Sequence, residues 1–230
     1  MTETAARHAR TVDDAPGADP GVREAREVGV GPWPGGEAAW PADKRYDREL
    51  LAAGDRRNVL DRYRYWTVEA IVADIDTRRH PLHVAIENFS HDMNIGSVVR
   101  TANAFAVAEV HIVGRRRWNR RGAMVTDRYQ HLRHHAHVTD LLEWADGEGL
   151  PVLGIDNGPG SVPIEGHTLP AACVLVFGQE SDGLSEEALA GCDEVVRISQ
   201  YGSTRSINAG AAAAVAMHAW MLQHATPNVV

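Results

Sequence analysis

Polar side chains able to bind or position a substrate are concentrated in three short, glycine-containing stretches of the sequence. They are NFSHDMNIGSVVRTANAF from residue 88, VFGQESDGLS from residue 176 and ISQYGSTRSINAG from residue 198. Together they supply carboxylate, amide, hydroxyl and guanidinium groups, which can hold phosphates and orient hydroxyls. One Ser or Asn is enough to cap a helix, so capping does not account for the cluster in the third stretch. These stretches are therefore the candidate functional site.

Arg100 of the first stretch lies in a predicted helix made otherwise of small and apolar residues. Because burying an unpaired guanidinium is costly, we expect it to be paired with an anion. Two alternatives remain open: a structural salt bridge to a carboxylate, or a clamp on a phosphate or substrate. Asn94 or Asp92 is expected to cap this helix, and Gly96 to allow close approach of another chain or a ligand.

The second and third stretches each follow an apolar run. Gly178 comes directly after a buried run and permits backbone contact with a flat ligand, while Gly183 is expected to form the turn before the next helix. Alone, this pattern is also typical of an ordinary strand-to-helix turn. The third stretch can bind phosphate at a helix start, but a P-loop and a dinucleotide fingerprint are both missing from the sequence.

The elements that must position these stretches alternate from residue 82 onward. Predicted strands cover residues 82–86, 109–113, 151–155, 172–177 and 194–198, with helices at about 95–106, 139–148, 184–192 and 206–224. This alternation predicts an α/β fold with a parallel sheet covered on both faces. Since ligands bind beyond the carboxyl ends of parallel strands, the three stretches should meet at one edge. The last helix is apolar all round, which predicts packing on the sheet and against a partner subunit.

The rest of the chain divides by composition. Residues 1–42 are rich in proline and glycine and predict a disordered tail, whereas residues 43–79 predict a helical extension. Cys173 and Cys192 are expected to be free thiols in a reducing, cytoplasmic environment. No secretory signal and no apolar run long enough for a membrane span occur in the sequence.

Charge is unevenly distributed along the chain. The net charge is −8, yet residues 115–137 hold seven arginines against one aspartate. This segment is compatible with a phosphate-binding face, and a solvated loop without a partner remains the alternative. Its four histidines lack the companion residues of known metal sites, so we expect them to face solvent or RNA and expect no metal there; they are His131, His134, His135 and His137.

In this order and spacing, the three stretches resemble the signature motifs of the SpoU/TrmH family of RNA 2′-O-ribose methyltransferases, part of the SPOUT superfamily. The matching segments are NIGSVVRTANAF, VFGQESDGLS and ISQYGSTRSINAGAAAAVA, and the resemblance covers about residues 82–224. It implies a parallel-sheet SPOUT methyltransferase domain over residues 80–230, whose C-terminal part is threaded as a deep trefoil knot.

The resemblance also implies a function: methyl transfer from S-adenosylmethionine (AdoMet) to a ribose 2′-hydroxyl of tRNA or rRNA by a homodimer. AdoMet would be held around Gly178, Ile198 and Ile207. Arg100 matches the catalytic arginine, and because guanidinium deprotonation is very unfavourable, we expect it to hold a phosphate and stabilise alkoxide charge rather than act as a base. Arg205 is expected to add a second phosphate contact. The other matching active-site positions are Asn94, Glu180, Ser206 and Asn208.

Two rival functions are weighed against this one. The first is a catalytically silent RNA-binding protein on the same scaffold, which the presence of all five catalytic-type residues disfavours. The second is a knotted methyltransferase acting on a base nitrogen, which would usually have a different third stretch. RNA recognition is expected from residues 43–79 or from residues 115–137.

Overall fold

The computed structural model describes residues 29–88, 92, 94–179 and 182–226. Two helices lie in the extension: α1 (Arg48–Ala53) and α2 (Val68–Asp76). The later helices are α3 (Ile95–Ala104), α4 (Val138–Glu148), α5 (Glu186–Gly191) and α6 (Ala209–His224). The strands are β1 (His80–Asn88), β2 (Val107–Gly114), β3 (Leu132–His135), β4 (Val152–Ile155), β5 (Val162–Pro163), β6 (Cys173–Phe177) and β7 (Glu194–Arg197). Four short 3-10 helices are Glu37–Ala39, Asp61–Tyr63, Arg120–Ala123 and Thr126–Arg128.

The described strands form one parallel sheet in the order β3-β2-β1-β6-β4-β7-β5. The predicted α/β fold class with a parallel sheet is therefore confirmed. All five residues of the central strand β6 are buried, as expected of a strand with helices over both faces. Two strands, β3 and β5, are not predicted by the sequence pattern. Both are at the edges of the sheet, where LRHH and VP carry too few apolar residues to predict a strand.

Helices cover the sheet on its two faces. On one face, α3 and α6 bury Val98, Met217 and Trp220 in a cluster with Leu82 and Leu175 of the sheet. On the other face, α4 and α5 bury a second cluster that includes Leu141, Ala145, Val174, Val176 and Ala188. Because each fully buried large apolar side chain contributes about 1.5–3 kcal/mol, these two layers stabilise the sheet and so hold the strand ends in place.

The last helix is apolar along its length, but this chain buries only one side of it. Gly210, Ala213 and Met217 are buried, whereas Val215 and Leu222 are 44% and 74% exposed. The helix begins at Ala209, three residues later than predicted. Burial of its second side against a partner subunit stays a prediction.

Residues 29–79 form a small packed unit. The ring of Trp33 lies 5.7 Å from Tyr46 and 5.3 Å from Tyr65, centroid to centroid, and Val30 pairs with Asp55 as an isolated β-bridge. The predicted disordered tail lies outside the described residues as far as position 28. Residues 29–42 differ from that prediction, because Trp33 packs on the extension. The domain boundaries at 42 and 79 stay predictions.

The two cysteines are free thiols, as predicted. Burial raises the pKa of Cys173 and that of Cys192 to about 12, so both stay protonated at neutral pH. Across the described part of the chain, no helix has the length and hydropathy needed to cross a membrane.

Candidate functional site

The carboxyl ends of β4, β6 and β7 border a cavity of about 280 Å³. Its walls include the three residues predicted to bind a cofactor, Gly178, Ile198 and Ile207, and Ser206 of the predicted catalytic set. The second and third polar stretches therefore meet here. This is the edge of a parallel sheet at which ligands generally bind.

A tight turn after Gly178 shapes one wall of this cavity. A Cβ at position 178 would overlap the carbonyl group of Gly183 and the amide nitrogen of Leu184, so only glycine fits. Gly183 has a φ of +68° and forms the turn before α5, as predicted, while it exchanges two backbone hydrogen bonds with Gln179. The reason for glycine at 178 is thus the tight turn that brings Gly183 and Leu184 back against it. Contact with a flat ligand, the predicted reason, is not needed to explain it.

The first residues of α3 and α6 meet beside the cavity, which brings the first polar stretch to the third. Asn208 caps α6, because its Oδ1 accepts from the amide of Ala211 at 3.2 Å. Its Nδ2 donates to Oδ1 of Asn94 at 2.9 Å. A Cβ on Gly210 would lie 3.2 Å from Cβ of Ser97, so this glycine permits the close approach of the two helices. The start of α3 after Asn94 is as predicted, but the Asn94 side chain does not cap the helix.

Arg100 lies on the exposed side of α3, outside the cavity wall. The guanidinium is not buried, because α3 packs through Val98, Val99 and Ala102 and leaves Arg100 facing outward. Among the described residues, no carboxylate pairs with its guanidinium. The structural salt bridge is therefore not observed, and the phosphate clamp stays a prediction. Arg205 lines the cavity. Glu180 lies outside the described residues.

Two residues of the cavity wall, Asp156 and Asn157, were not predicted. The carboxylate of Asp156 accepts hydrogen bonds from the backbone amides of Gly158 at 2.8 Å and Leu184 at 2.9 Å. The second bond holds the loop after β4 to the turn before α5. The Asn157 amide donates to the carbonyl of Arg205 at 2.5 Å. The sequence did contain a signal for these two residues, because they directly follow the predicted strand PVLGI. Each of the three polar stretches follows a predicted strand in the same way.

A buried carboxylate, Glu87, lies near the carboxyl end of β1 and was also not predicted. It accepts from the Ser185 hydroxyl at 2.5 Å and from the Ser185 amide at 2.8 Å. Burial raises the pKa of Glu87, against the opposing effect of these hydrogen bonds. Since Ser185 is the N-cap of α5, this contact holds the second polar stretch to β1.

The basic loop after β2 lies next to the start of α3. A Cβ on Gly96 would lie 2.6 Å from the amide nitrogen of Ala123 and 2.7 Å from Cα of Gly122. Gly96 therefore admits another segment of this chain, the 3-10 helix Arg120–Ala123. Arg120 is paired with Asp127 at 3.0 Å. The name basic loop is used for residues 115–123, whose exposed arginines are Arg115, Arg116, Arg117, Arg120 and Arg121.

The four histidines predicted to face solvent or RNA have different surroundings. His135 is buried, with Nε2 2.9 Å from Nδ1 of His111, whose Nε2 is 3.1 Å from Nδ1 of His83. The prediction is wrong for His135, because β3 places it under α4. His134 is half-buried against the carbonyl of Gly114, and the other two histidines are exposed. Burial lowers the pKa of His83 to about 4 and that of His111 to about 2, so both are neutral at pH 7.

Comparisons with known proteins agree with this geometry. A family model described as the SpoU rRNA Methylase family matches residues 81–218, more than half of the chain. An uncharacterized tRNA/rRNA methyltransferase of Mycobacterium avium is 36% identical over 143 residues, which cover 59% of this chain and 45% of that protein. The match thus spans less than half of that relative's length. The tRNA (guanosine(18)-2′-O)-methyltransferase of Escherichia coli is 29% identical over 153 residues, 65% of this chain and 67% of that protein.

A solved structure shows the same fold. The SpoU methyltransferase AviRb of Streptomyces viridochromogenes, crystallised with AdoMet, superposes with a TM-score of 0.58 at 21% identity. The superposition covers 65% of this chain and 60% of that one. All of the predicted site residues fall within the segment that the family model matches.

Proposed function

The chain belongs to the SpoU rRNA methylase family, and we propose that it transfers a methyl group from AdoMet to a ribose 2′-hydroxyl of tRNA or rRNA. The observation that carries this proposal is the cavity at the carboxyl ends of β4, β6 and β7, where Gly178, Ile198, Ser206 and Ile207 meet. The 2′-O activity in the name of the Escherichia coli relative supports the acceptor group. The AdoMet-bound Streptomyces structure supports the cofactor.

The residues of the cavity fit AdoMet. Phe177, Ile198 and Ile207 offer apolar surface to an adenine ring, and the loop at Gly178 offers backbone groups. Asp182 lies in the same wall, where a carboxylate suits a cationic ligand. The volume of about 280 Å³ is close to the lower end of the ~300–1,000 Å³ typical of ligand pockets. When bound, AdoMet would supply an electrophilic methyl group on a sulfonium.

The protein's own groups then have to orient the ribose hydroxyl and help it lose its proton, because that hydroxyl is a poor nucleophile. The hydrogen-bonded amides of Asn94 and Asn208 lie at the edge of the cavity, and Ser206 lies in its wall. We assign these groups to orienting the ribose. Arg100 and Arg205 would hold the neighbouring phosphate and stabilise alkoxide charge as it develops. Glu180 is assigned to the same set from the sequence.

A homodimer formed through α6 is part of the proposal. Ala211, Val215, His218 and Leu222 form one exposed stripe along this helix. Burying apolar surface is favourable by about 25 cal/mol per Å², so an exposed stripe of this kind marks an interaction surface. Sedimentation equilibrium should give twice the mass of the chain. A monomer at micromolar concentration would contradict the dimer.

The trefoil knot, the boundaries at residues 42 and 79 and a cytoplasmic location complete the proposal. One observation supports the knot: β6 lies between β1 and β4 although it follows both in the chain. A tRNA or rRNA substrate would place the protein in the cytoplasm. A crystal structure that traces residues 178–209 outside the loop they are proposed to thread would rule out the knot.

The decisive experiment is an assay of the full chain with total cellular RNA and AdoMet labelled in its methyl group. After digestion to nucleosides, mass spectrometry should find the label in 2′-O-methylated ribose. Label on a base nitrogen would instead identify the base-modifying rival. RNA binding without any transferred label would identify a catalytically silent RNA-binding protein.

A further inference from the structure

Four polar side chains lie together beneath α4, on the face of the sheet opposite α6. His83 of β1 is in register with Glu109 of β2, and His111 of β2 and His135 of β3 follow on the same face. The ring of Trp144 in α4 covers the cluster, with its centroid 4.2 Å from that of His111 and 5.1 Å from that of His83. The proposed active site does not use any of these residues.

Three of these side chains hold possible ligand atoms close together. Nδ1 of His83 and Nε2 of His111 are 3.1 Å apart, and Nε2 of His111 is 3.9 Å from Oε2 of Glu109. All three atoms lie within 4.8 Å of one another. Two ligand atoms bound to one tetrahedral zinc ion are ~3.3–3.4 Å apart, given bonds of ~2.0–2.1 Å. To bind an ion, the two imidazole nitrogens would give up their mutual hydrogen bond and turn toward it with a small increase in separation, and the carboxylate oxygen would move closer to both.

The partners expected behind metal ligands are also present. Histidines that bind metals usually hydrogen-bond through their second nitrogen, and carboxylate ligands are themselves hydrogen-bonded. Nδ1 of His111 faces Nε2 of His135 at 2.9 Å. Oε2 of Glu109 accepts from Nε of Arg133 at 2.9 Å, and the Arg133 guanidinium lies over Trp144 at 5.1 Å. The side chains of His111 and Glu109, two of the three ligands, are thus held in orientation by β3.

We propose that His83, Glu109 and His111 form a site for one divalent transition-metal ion of the zinc type. Two imidazoles and one carboxylate are a known zinc ligand set, in which water takes the fourth position. The ion would link β1 to β2 and, through His135 and Arg133, hold the edge strand β3. Since Arg133 is exposed and His83 half-buried, an ion can enter from the edge of the sheet.

The test is a titration of the full, chelator-treated chain with Co²⁺, whose tetrahedral complexes absorb visible light. We expect one Co²⁺ per chain, a tetrahedral absorption band that Zn²⁺ removes, and a melting temperature that rises with Zn²⁺ concentration because the ion binds the folded state. Absence of the band would overturn the proposal. The three imidazoles would then form only a hydrogen-bonded chain.

Variants separate ligands from their neighbours. His83→Gln and Glu109→Gln should weaken Co²⁺ binding more than tenfold and remove the band, and Glu109→Gln keeps an oxygen acceptor for Arg133, so the fold should be preserved. His135→Gln should weaken binding about 10–100-fold and keep the band, as expected of a second partner. His167→Gln is the matched control, since His167 pairs with Glu194 at 3.1 Å, far from the cluster. A band that persists in both ligand variants would also overturn the site.

Discussion

Glycine at two positions, where there is no Cβ atom, allows backbone segments to approach closely at the site. Gly178 is in contact with the backbone of residues 183–184 of the same polar stretch, and Gly96 with the backbone of residues 122–123. The first contact closes a tight turn, and the second brings a polar stretch beside a segment distant in the chain. The Asn208 side chain adds a second kind of contact, because it both caps α6 and donates a hydrogen bond to Asn94. At the scale of the residue, the site is thus built by close approach and by shared hydrogen bonds.

Arg100 gives the sharpest prediction at this scale. Since it lies outside the cavity wall, Arg100→Ala should leave AdoMet affinity nearly unchanged. Methyl transfer should fall by about 10²–10³-fold, the usual effect of removing a group that stabilises transition-state charge. Arg100→Lys should be intermediate, because it keeps the charge but loses the planar fork. Initial rates with labelled AdoMet and calorimetric AdoMet binding measure the two effects, and full turnover by Arg100→Ala would refute the assignment.

At the scale of the element, the segment between β2 and β3 lies beside the proposed active site. Its 3-10 helix Arg120–Ala123 packs against the start of α3, and Tyr129 further along packs against Tyr63, Ile71 and Ile75 of the extension. The basic loop and the extension are therefore neighbours. The basic loop contacts α3, and the extension contacts β2, the strand that follows α3. RNA bound at the cavity can therefore reach both segments.

This arrangement predicts that the basic loop contributes most of the salt dependence of RNA binding. Replacing Arg115, Arg116, Arg117, Arg120 and Arg121 by Gln should weaken binding. It should also reduce the slope of log K against log salt by about 0.7–0.9 for each phosphate that the variant no longer neutralises. Filter binding at several salt concentrations measures the slope.

The comparison variant removes two exposed arginines from the extension instead, at Arg48 and Arg56, and the change in slope is compared per arginine removed. If the basic loop recognises the RNA, this pair should change the slope little. If the slope of log K against log salt is unchanged in the variant of the basic loop, that segment is a solvated loop without a partner.

At the scale of the whole molecule, residues 29–79 are held together and to the sheet by polar contacts as well as apolar ones. Arg79 donates to the carbonyls of Val107 and Tyr129, and His131 lies 2.8 Å from Asp76. Within the extension, the fully buried Asp55 accepts from the Arg57 side chain and from the Tyr65 amide. Loss of these hydrogen bonds to Asp55 should destabilise the packing of the whole extension.

The acid stability of the protein should depend on Asp55. Burial raises its pKa, but the hydrogen bonds from Arg57 and Tyr65 outweigh burial and lower the pKa from 3.8 to about 2. A depressed folded-state pKa contributes stability that is present above about pH 4 and lost as the pH falls toward 2. Asp55→Asn should therefore cost about 1–3 kcal/mol at pH 7 and flatten the pH dependence between 4 and 2.

Urea unfolding followed by tryptophan fluorescence across that pH range measures both effects. The control is Asp61→Asn, because the Asp61 side chain is 97% exposed and should contribute little. Equal losses of stability in the two variants would contradict the assigned role of Asp55.

Patterns in the sequence alone predicted the alternation of strands and helices, the parallel sheet and the three polar stretches at one sheet edge. These features are local: apolar runs, turn residues and short motifs are readable without knowing what packs against them. The same rule applied to the strand PVLGI would have added Asp156 and Asn157. The edge strands β3 and β5 were not predicted, because a strand at the edge of a sheet does not need a run of apolar residues.

Only the tertiary structure decided which side of each element is covered. Arg100 is exposed because α3 packs through its other side, and His135 is buried because α4 lies over β3. Trp33 orders residues that composition predicts to be disordered, since its partners Tyr46 and Tyr65 come later in the chain. Burial depends on distant segments, and residue types and spacing along one stretch carry no information on which segment that will be.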